Sequence, residues 1–235
     1  MARLPRLAVA GQPHYVVQTG VHGQPLMLDD TDRTALLAAL REAAATHQVA
    51  VWGYALLPQA LHLVVCPAAP EALGRMMQTL GRRYVLAFNR RHQRSGALWG
   101  GRFRAAVVEP GAWLLAALAR VDRLGQEAGA WSSAAHHLGQ AEGHARAPLL
   151  ADPRELWTLG NTPFERESAW RERLAQGPDT ARDDALARAV HGTWVAGSPA
   201  FAAEMAALAG RPAAPRRPGR PAKRAPQADT PSGPS

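Results

Sequence analysis

Leu57-Pro58-Gln59-Ala60-Leu61-His62-Leu63-Val64-Val65 is an apolar strand with one histidine in its middle and a proline break at its start. On a strand, residues two apart share a face, so imidazoles at i and i+2 can grip one metal ion together. The i−2 neighbour of His62 is Ala60, so this face offers one imidazole where such a site needs two. The segment before the break, residues 49–57, is also strand-like. Pro58 ends it, and residues 60–66 return as its antiparallel partner.

The pattern extends outward on both sides. Residues 14–21 form a first strand, ended by Gly20 and Gly23. Asp29 and Asp30 are N-cap candidates for a helix over 31–47, where Leu36, Leu37, Leu40 and Ala44 recur at helical spacing. A second helix is predicted over 70–91, a fourth strand over 98–108 and a third helix over 112–124, entered through Pro110-Gly111. The order β-α-β-β-α-β with a helix appended predicts an α+β domain of the ferredoxin-like or RRM-like type. Its helices lie on one face of a four-stranded antiparallel sheet, and the other face is open to a ligand.

Residues 1–139 are read as this domain. Residues 140–155, rich in Gly, Ala and Pro, read as a linker. Residues 156–209 carry helical periodicity in Trp170, Leu174, Val190, Trp194, Phe201, Met205 and Leu208, and predict a small helical region. In residues 210–235 Pro, Ala and Arg dominate and no apolar period survives, which predicts a disordered basic tail.

The chain of 235 residues has a formal net charge of +8, which points to a polyanionic partner. No stretch approaches a membrane span, the first residues lack the apolar core of a signal peptide, and no long basic amphipathic helix offers a wide apolar face. A cytoplasmic, nucleoid-associated protein with nucleic acid as partner is expected. Cys66 is the single cysteine and is expected to be an inert buried thiol.

Charge is unevenly placed. Between Glu71 and Glu109 there is no acidic residue, yet eight arginines: 75, 82, 83, 90, 91, 94, 102 and 104. Arg75, Arg82, Arg83, Arg90 and Arg94 fall on one helix face, opposite Leu73, Met77, Leu80, Tyr84 and Phe88. A solvated charge run normally carries its own counter-charges. This one has none in sequence, and guanidinium suits phosphate contact. Arg102 and Arg104 flank Phe103, so on a strand both face one side. In the tail, Arg216-Arg217-Pro218-Gly219-Arg220-Pro221 is similar to an AT-hook, with Pro218 where its first core arginine belongs. Arg217 and Arg220 are therefore candidates for A·T-rich minor-groove contact, or for generic counterion release.

Several stretches together resemble the REP-associated tyrosine transposases, a bacterial group of single-tyrosine HUH transposases. They are Ala2-Arg3-Leu4-Pro5-Arg6 with Gly11-Gln12-Pro13-His14, and Leu57 to Leu63 as quoted above. Met77-Gln78-Thr79-Leu80-Gly81-Arg82-Arg83-Tyr84 and Phe88-Asn89-Arg90-Arg91 follow, then Gly96-Ala97-Leu98-Trp99-Gly100-Gly101-Arg102-Phe103-Arg104 and Trp131-Ser132-Ser133. Leu159-Gly160 through Trp170-Arg171 resembles the family's C-terminal extension. The resemblance implies recognition of single-stranded or hairpin DNA. It also implies strand cleavage by a tyrosine, with two histidines and a polar ligand holding a divalent metal.

The residues for that chemistry are not all here. His62 matches the second histidine, Ala60 stands at the first, and Gln59 replaces the usual Asn. Anchored on Trp113-Leu114-Leu115, Arg120 falls at the nucleophile and Leu124 at a further Asn. The three tyrosines are Tyr15, Tyr54 and Tyr84, so none follows residue 84. Tyr84 lies on the apolar helix face and reads as core. His136 and His137 read as surface residues, and Ser132 and Ser133 lack a base at a recognisable spacing. The expectation is a DNA-binding protein whose cleavage site has decayed, with His62 vestigial as a metal ligand and no cofactor. The rival is an active nuclease using Mg or Mn around His62 and a displaced nucleophile. A polar constellation around His62 in the folded chain would favour that rival.

Overall fold

The computed structural model describes residues 7–129, 131–140 and 149–214. The elements are β1 His14–Thr19, α1 Asp30–Thr46, β2 Val49–Leu57, β3 Ala60–Pro67, α2 Ala72–Arg91, β4 Arg104–Val108 and α3 Ala112–Glu127. They continue with α4 Ala134–His137, α5 Arg154–Trp157, α6 Pro163–Ala175, α7 Thr180–Gly192, β5 Val195–Ala196 and α8 Pro199–Ala209. The sheet order is β2-β3-β1-β4-β5. The first four strands pair antiparallel in ferredoxin-like order, and the two-residue β5 adds a parallel edge strand to β4.

Strand alternation sorts the side chains. Leu61, Leu63 and Val65 of β3, with Val16 of β1, face α1 and α2 in one core. Val64 of β3 and Tyr15 of β1 belong to a second core on the opposite face. The α1 helix starts on the Asp29 side chain, which accepts the Asp32 N–H, and it buries Leu36, Leu37, Leu40, Ala43 and Ala44. The α2 helix buries Leu73, Met76, Met77, Leu80, Tyr84 and Phe88. Tyr84 is core, as expected, and its hydroxyl donates to the Leu26 carbonyl at 2.7 Å.

The expected open sheet face is covered. Leu114, Leu118 and Val121 of α3 pack on Tyr15, Ala55, Val64, Ala106 and Val108, and Trp170, Leu186 and Val190 of α6 and α7 complete that core. The strands are apolar on both alternations (Tyr15-Val16, Val64-Val65, Val107-Val108), as strands buried on both faces require. The C-terminal helices therefore share the core of the expected 1–139 domain.

The predicted fourth strand begins late. Phe103 is buried but precedes β4, and Arg102 lies on an exposed bend; Trp99 makes one isolated bridge to Gly20. Gly100 and Gly101, the latter at φ 103°, interrupt the extended backbone, so Arg102 and Arg104 do not share a strand face. Within residues 210–214, expected in the disordered tail, Arg211 and Ala213 are buried instead. Ala213 is buried beside Leu7, Val107, Phe201 and Met205, and its carbonyl accepts the Val195 N–H at 3.0 Å. Arg217 and Arg220 lie outside the described residues. Among the described residues no helix is long and apolar enough to cross a membrane.

Candidate functional site

His62 and Tyr15 sit on adjacent strands and point to the α3 face. The His62 Nδ1 lies 2.6 Å from the Tyr15 hydroxyl. Arg120, one side of whose helix faces this pair, hydrogen-bonds Tyr15. It also donates to Asp183 Oδ2 of α7 at 3.2 Å, while Arg123 donates to the same oxygen at 3.3 Å. Burial, helped by the Arg120 charge, pushes the His62 imidazole down to about 4. A neutral ring accepts at Nδ1, so the chain of donors runs Arg120 to Tyr15 to His62. Burial pushes the Tyr15 phenol up, and the nearby Arg120 only partly offsets this.

A polar constellation around His62 therefore exists, but its chemistry does not suit a divalent metal. Its members are a phenol, a guanidinium and one carboxylate already shared by two arginines. Arg120 holds a positive charge where a cation would have to approach. Among the described residues no three His, Cys, Asp or Glu side chains cluster closely enough to hold a metal. Arg120 Nε and Asp183 Oδ1 are buried and have no partner among the described residues, so the network is closed on one side only. Arg104 of β4 donates to the His191 carbonyl of α7, which adds to the hold of that helix over the site.

A second buried network lies behind the first. Asp122 of α3 is fully buried and accepts from Ser133 Oγ at 2.6 Å and from Trp170 Nε1 at 2.9 Å; His137 Nδ1 lies 2.7 Å from its Oδ2. His137 Nε2 is 3.0 Å from the Trp52 carbonyl, so both ring nitrogens face acceptors and both carry protons. Burial opposes that charge, but the Asp122 carboxylate outweighs it and His137 is raised above the usual histidine range. Gly53 of β2 permits the approach: a Cβ there would meet Leu118 at 3.0 Å and Ser133 Oγ at 3.2 Å. His137 is thus buried rather than on the surface, where sequence placed it; His136 binds Asp152 at 3.0 Å. Ser133 bonds to the aspartate and not to the imidazole, so the three residues, with Trp170, brace α3, α4 and α6 rather than forming a nucleophile–base pair.

Arg75, Arg82, Arg83 and Arg90 are exposed on α2, whereas Arg94, expected on the same helix face, lies beyond the end of the helix at Arg91. Counter-charges absent from the segment's sequence neighbourhood come from α1 and its N-cap. Arg83 pairs with Glu42, and Arg91 with Asp29 at 2.6 Å and Asp32 at 2.5 Å. Those bonds hold the Asp29 carboxyl down at about 2. Arg75 reaches Glu71 only at 4.0 Å. Arg94 donates to Gln24 at 3.0 Å and lies over the Phe88 ring. Arg82, Arg90 and Arg102 are exposed and make no ion pair among the described residues. The exposed cations lie on the α2 side of the sheet, and the His62 site on the α3 side. Cys66 is half-buried, and burial pushes its thiol up, which keeps it protonated.

No family profile matches the chain, and no curated relative matches it. Among solved structures, the REP-associated tyrosine transposase bound to a REP hairpin is similar, with a TM-score of 0.50 at 10% identity. That likeness spans 65% of this chain and 99% of the other. A candidate transposase from Deinococcus radiodurans is similar more loosely, with a TM-score of 0.36 at 17% identity over 46% of this chain and 88% of the other. The chain thus has the α+β fold of the HUH transposases, on a sheet whose second face is sealed by its own C-terminal helices.

Proposed function

We propose that this protein binds hairpin or single-stranded DNA and does not cut it. The observation that carries this is Arg120. The resemblance puts the attacking tyrosine at that position, and here a guanidinium occupies it, bound to Asp183. A phosphodiester reaching His62 would meet no second imidazole at Ala60, and would have to displace α7. His62, with Ala60 two residues before it and Arg120 beside it, lacks the donors a divalent metal needs among the described residues, and the proposed binding is metal-independent. The hairpin held by the structural neighbour supports structured DNA as the ligand class.

Arg75, Arg82, Arg90 and Arg102 form the binding face, with Arg83 and Arg94 as weaker members because their guanidiniums are already engaged. Arg104 is tied to α7 and is withdrawn from the face. Arg217 and Arg220 add an electrostatic arm, which favours A·T-rich duplex if its likeness to the minor-groove motif is functional. The rival reading has one observation in its favour, the Tyr15 phenol beside His62. Against it stand the burial of that phenol, at 1% exposure, and the direction of its pKa.

The test is a titration of a labelled DNA hairpin with a short single-stranded flank, at several salt concentrations without divalent metal. The expected result is saturable binding whose affinity falls steeply with salt. Absence of binding at low salt would overturn the proposal.

A further inference from the structure

A cleft of about 490 Å³ opens between the first half of α2 and the loop of residues 99–103. Its wall includes Gln18, Glu71, Arg75, Gln78, Trp99 and Arg102. It lies on the face with the unpaired arginines and takes no part in the His62 network. We propose that it receives one unpaired nucleobase of the bound DNA strand, stacked on Trp99 and read by the two glutamines. This rests on the DNA-binding proposal and deepens it.

Four observations carry the inference. Gln18 is 2% exposed, and its Nε2 donates to the carbonyls of Thr19 at 3.1 Å and Gly101 at 3.3 Å. Those two acceptors settle the amide orientation, because the reversed amide would set oxygen against oxygen. Its Oε1 then remains an acceptor with no hydrogen bond among the described residues, on a side chain that lines the cleft. An acceptor so placed on the cleft wall is open to a donor from a bound base.

Trp99 supplies the flat surface. Its ring lies against α2 at Gly81, where a Cβ would meet Cζ3 at 2.9 Å, so glycine there lets the indole approach the helix. The ring is half-buried, which leaves part of it in the cleft. Stacking on such a ring is sequence-tolerant because every base has a π-face.

Charge sets the polarity of the cleft. Glu71 lies at its wall and repels a phosphate from the interior, and with Gln18 Oε1 it favours a base carrying an exocyclic amino group. Arg102, without an ion-pair partner among the described residues, and Arg75, only loosely paired, place cations for the flanking phosphates. The size falls in the range of small-ligand pockets.

The test compares hairpins whose single-stranded flank is either adenine-bearing or abasic, the phosphates being kept. The full chain should bind the abasic flank about tenfold more weakly, the loss expected for one stacked base. Trp99→Leu should bind both flanks alike, at the weaker level. Gln78→Leu, at an exposed helix position that does not threaten folding, should lose affinity on the adenine flank only. Equal affinity of the unaltered protein for both flanks, or a flank preference that persists in both variants, would overturn the proposal. Failure to bind either hairpin would instead count against DNA binding itself.

Discussion

Arg120 of α3 and Asp183 of α7 meet at 3.2 Å directly over the Tyr15–His62 pair, so the C-terminal extension closes the sheet face with a charge matched to the residue beneath it. Arg123 shares the same carboxylate oxygen. The extension and the altered helix position are thus one device. A phenol at 120 would leave Asp183 one cation poorer, and without Asp183 two guanidiniums would be left half-buried and unpaired.

Asp183→Ala should therefore destabilise the protein by about 2 kcal/mol, less than the roughly 3–5 kcal/mol for breaking a fully buried pair, because Arg120 retains some solvent. Chemical denaturation of the two proteins measures the difference. Arg120→Tyr should leave strand cleavage undetectable, since Ala60 still withholds an imidazole; cleavage by this single variant would mean the site lacks nothing but its nucleophile.

The Asp122 brace gives a second expectation. Asp122→Ala removes the acceptor of Ser133 and Trp170 and the counter-ion of a fully buried imidazolium. A loss of about 3–5 kcal/mol follows, measurable as a drop in denaturation midpoint. A change under about 1 kcal/mol would show that the network is not under tension from burial.

The ferredoxin-like order was legible from strand and helix periods, and α2 came out within two residues of the expected span. The sealed face was legible too, in strands apolar on both alternations, but that signal competes with the open sheet that this order allows. The His62 constellation was not. Tyr15 lies 47 residues away in sequence, and only the β1–β3 register, Val17 opposite His62, brings the two together. Arg83 read as a free cation because Glu42 is on another helix, and His137 read as exposed because its counter-ion Asp122 is supplied by α3. Contacts between elements decide such residues, and no local spacing encodes them.

Acid should weaken the fold in a window set by two histidines. Burial lowers His14 to about 4 despite its bond to the Gln12 carbonyl, and lowers His62 to about 4. Both stay neutral when folded and protonate near 6.5 when unfolded. Their stabilising contribution is whole above pH 6.5 and is lost as pH falls toward 4. For the fully buried His14 this is roughly 3 kcal/mol. His137, raised by Asp122, has the opposite sign, present below 6.5 and fading as pH rises. Denaturation at pH 7 and pH 4.5 should show a clear net loss at the lower value, smaller in His62→Gln. A His62→Gln profile identical to that of the parent would remove His62 from the account.

The unpaired arginines should dominate salt dependence. Replacing Arg82, Arg90 and Arg102 with Ala removes three potential phosphate contacts. At about 0.7 per contact for single strands, the log–log slope should flatten by about two units. Arg83→Ala should change it less, because Glu42 already holds that guanidinium. An unaltered slope in the triple variant would reduce the stripe to a solvated face.

The most direct measurement incubates the protein with a labelled hairpin bearing a single-stranded flank, with Mg or Mn, and looks for both bound complex and covalent adduct after denaturation. The account predicts retained binding, intact DNA and no protein–DNA adduct. An adduct, above all one mapped to Tyr15, would contradict it and restore a working nuclease at His62.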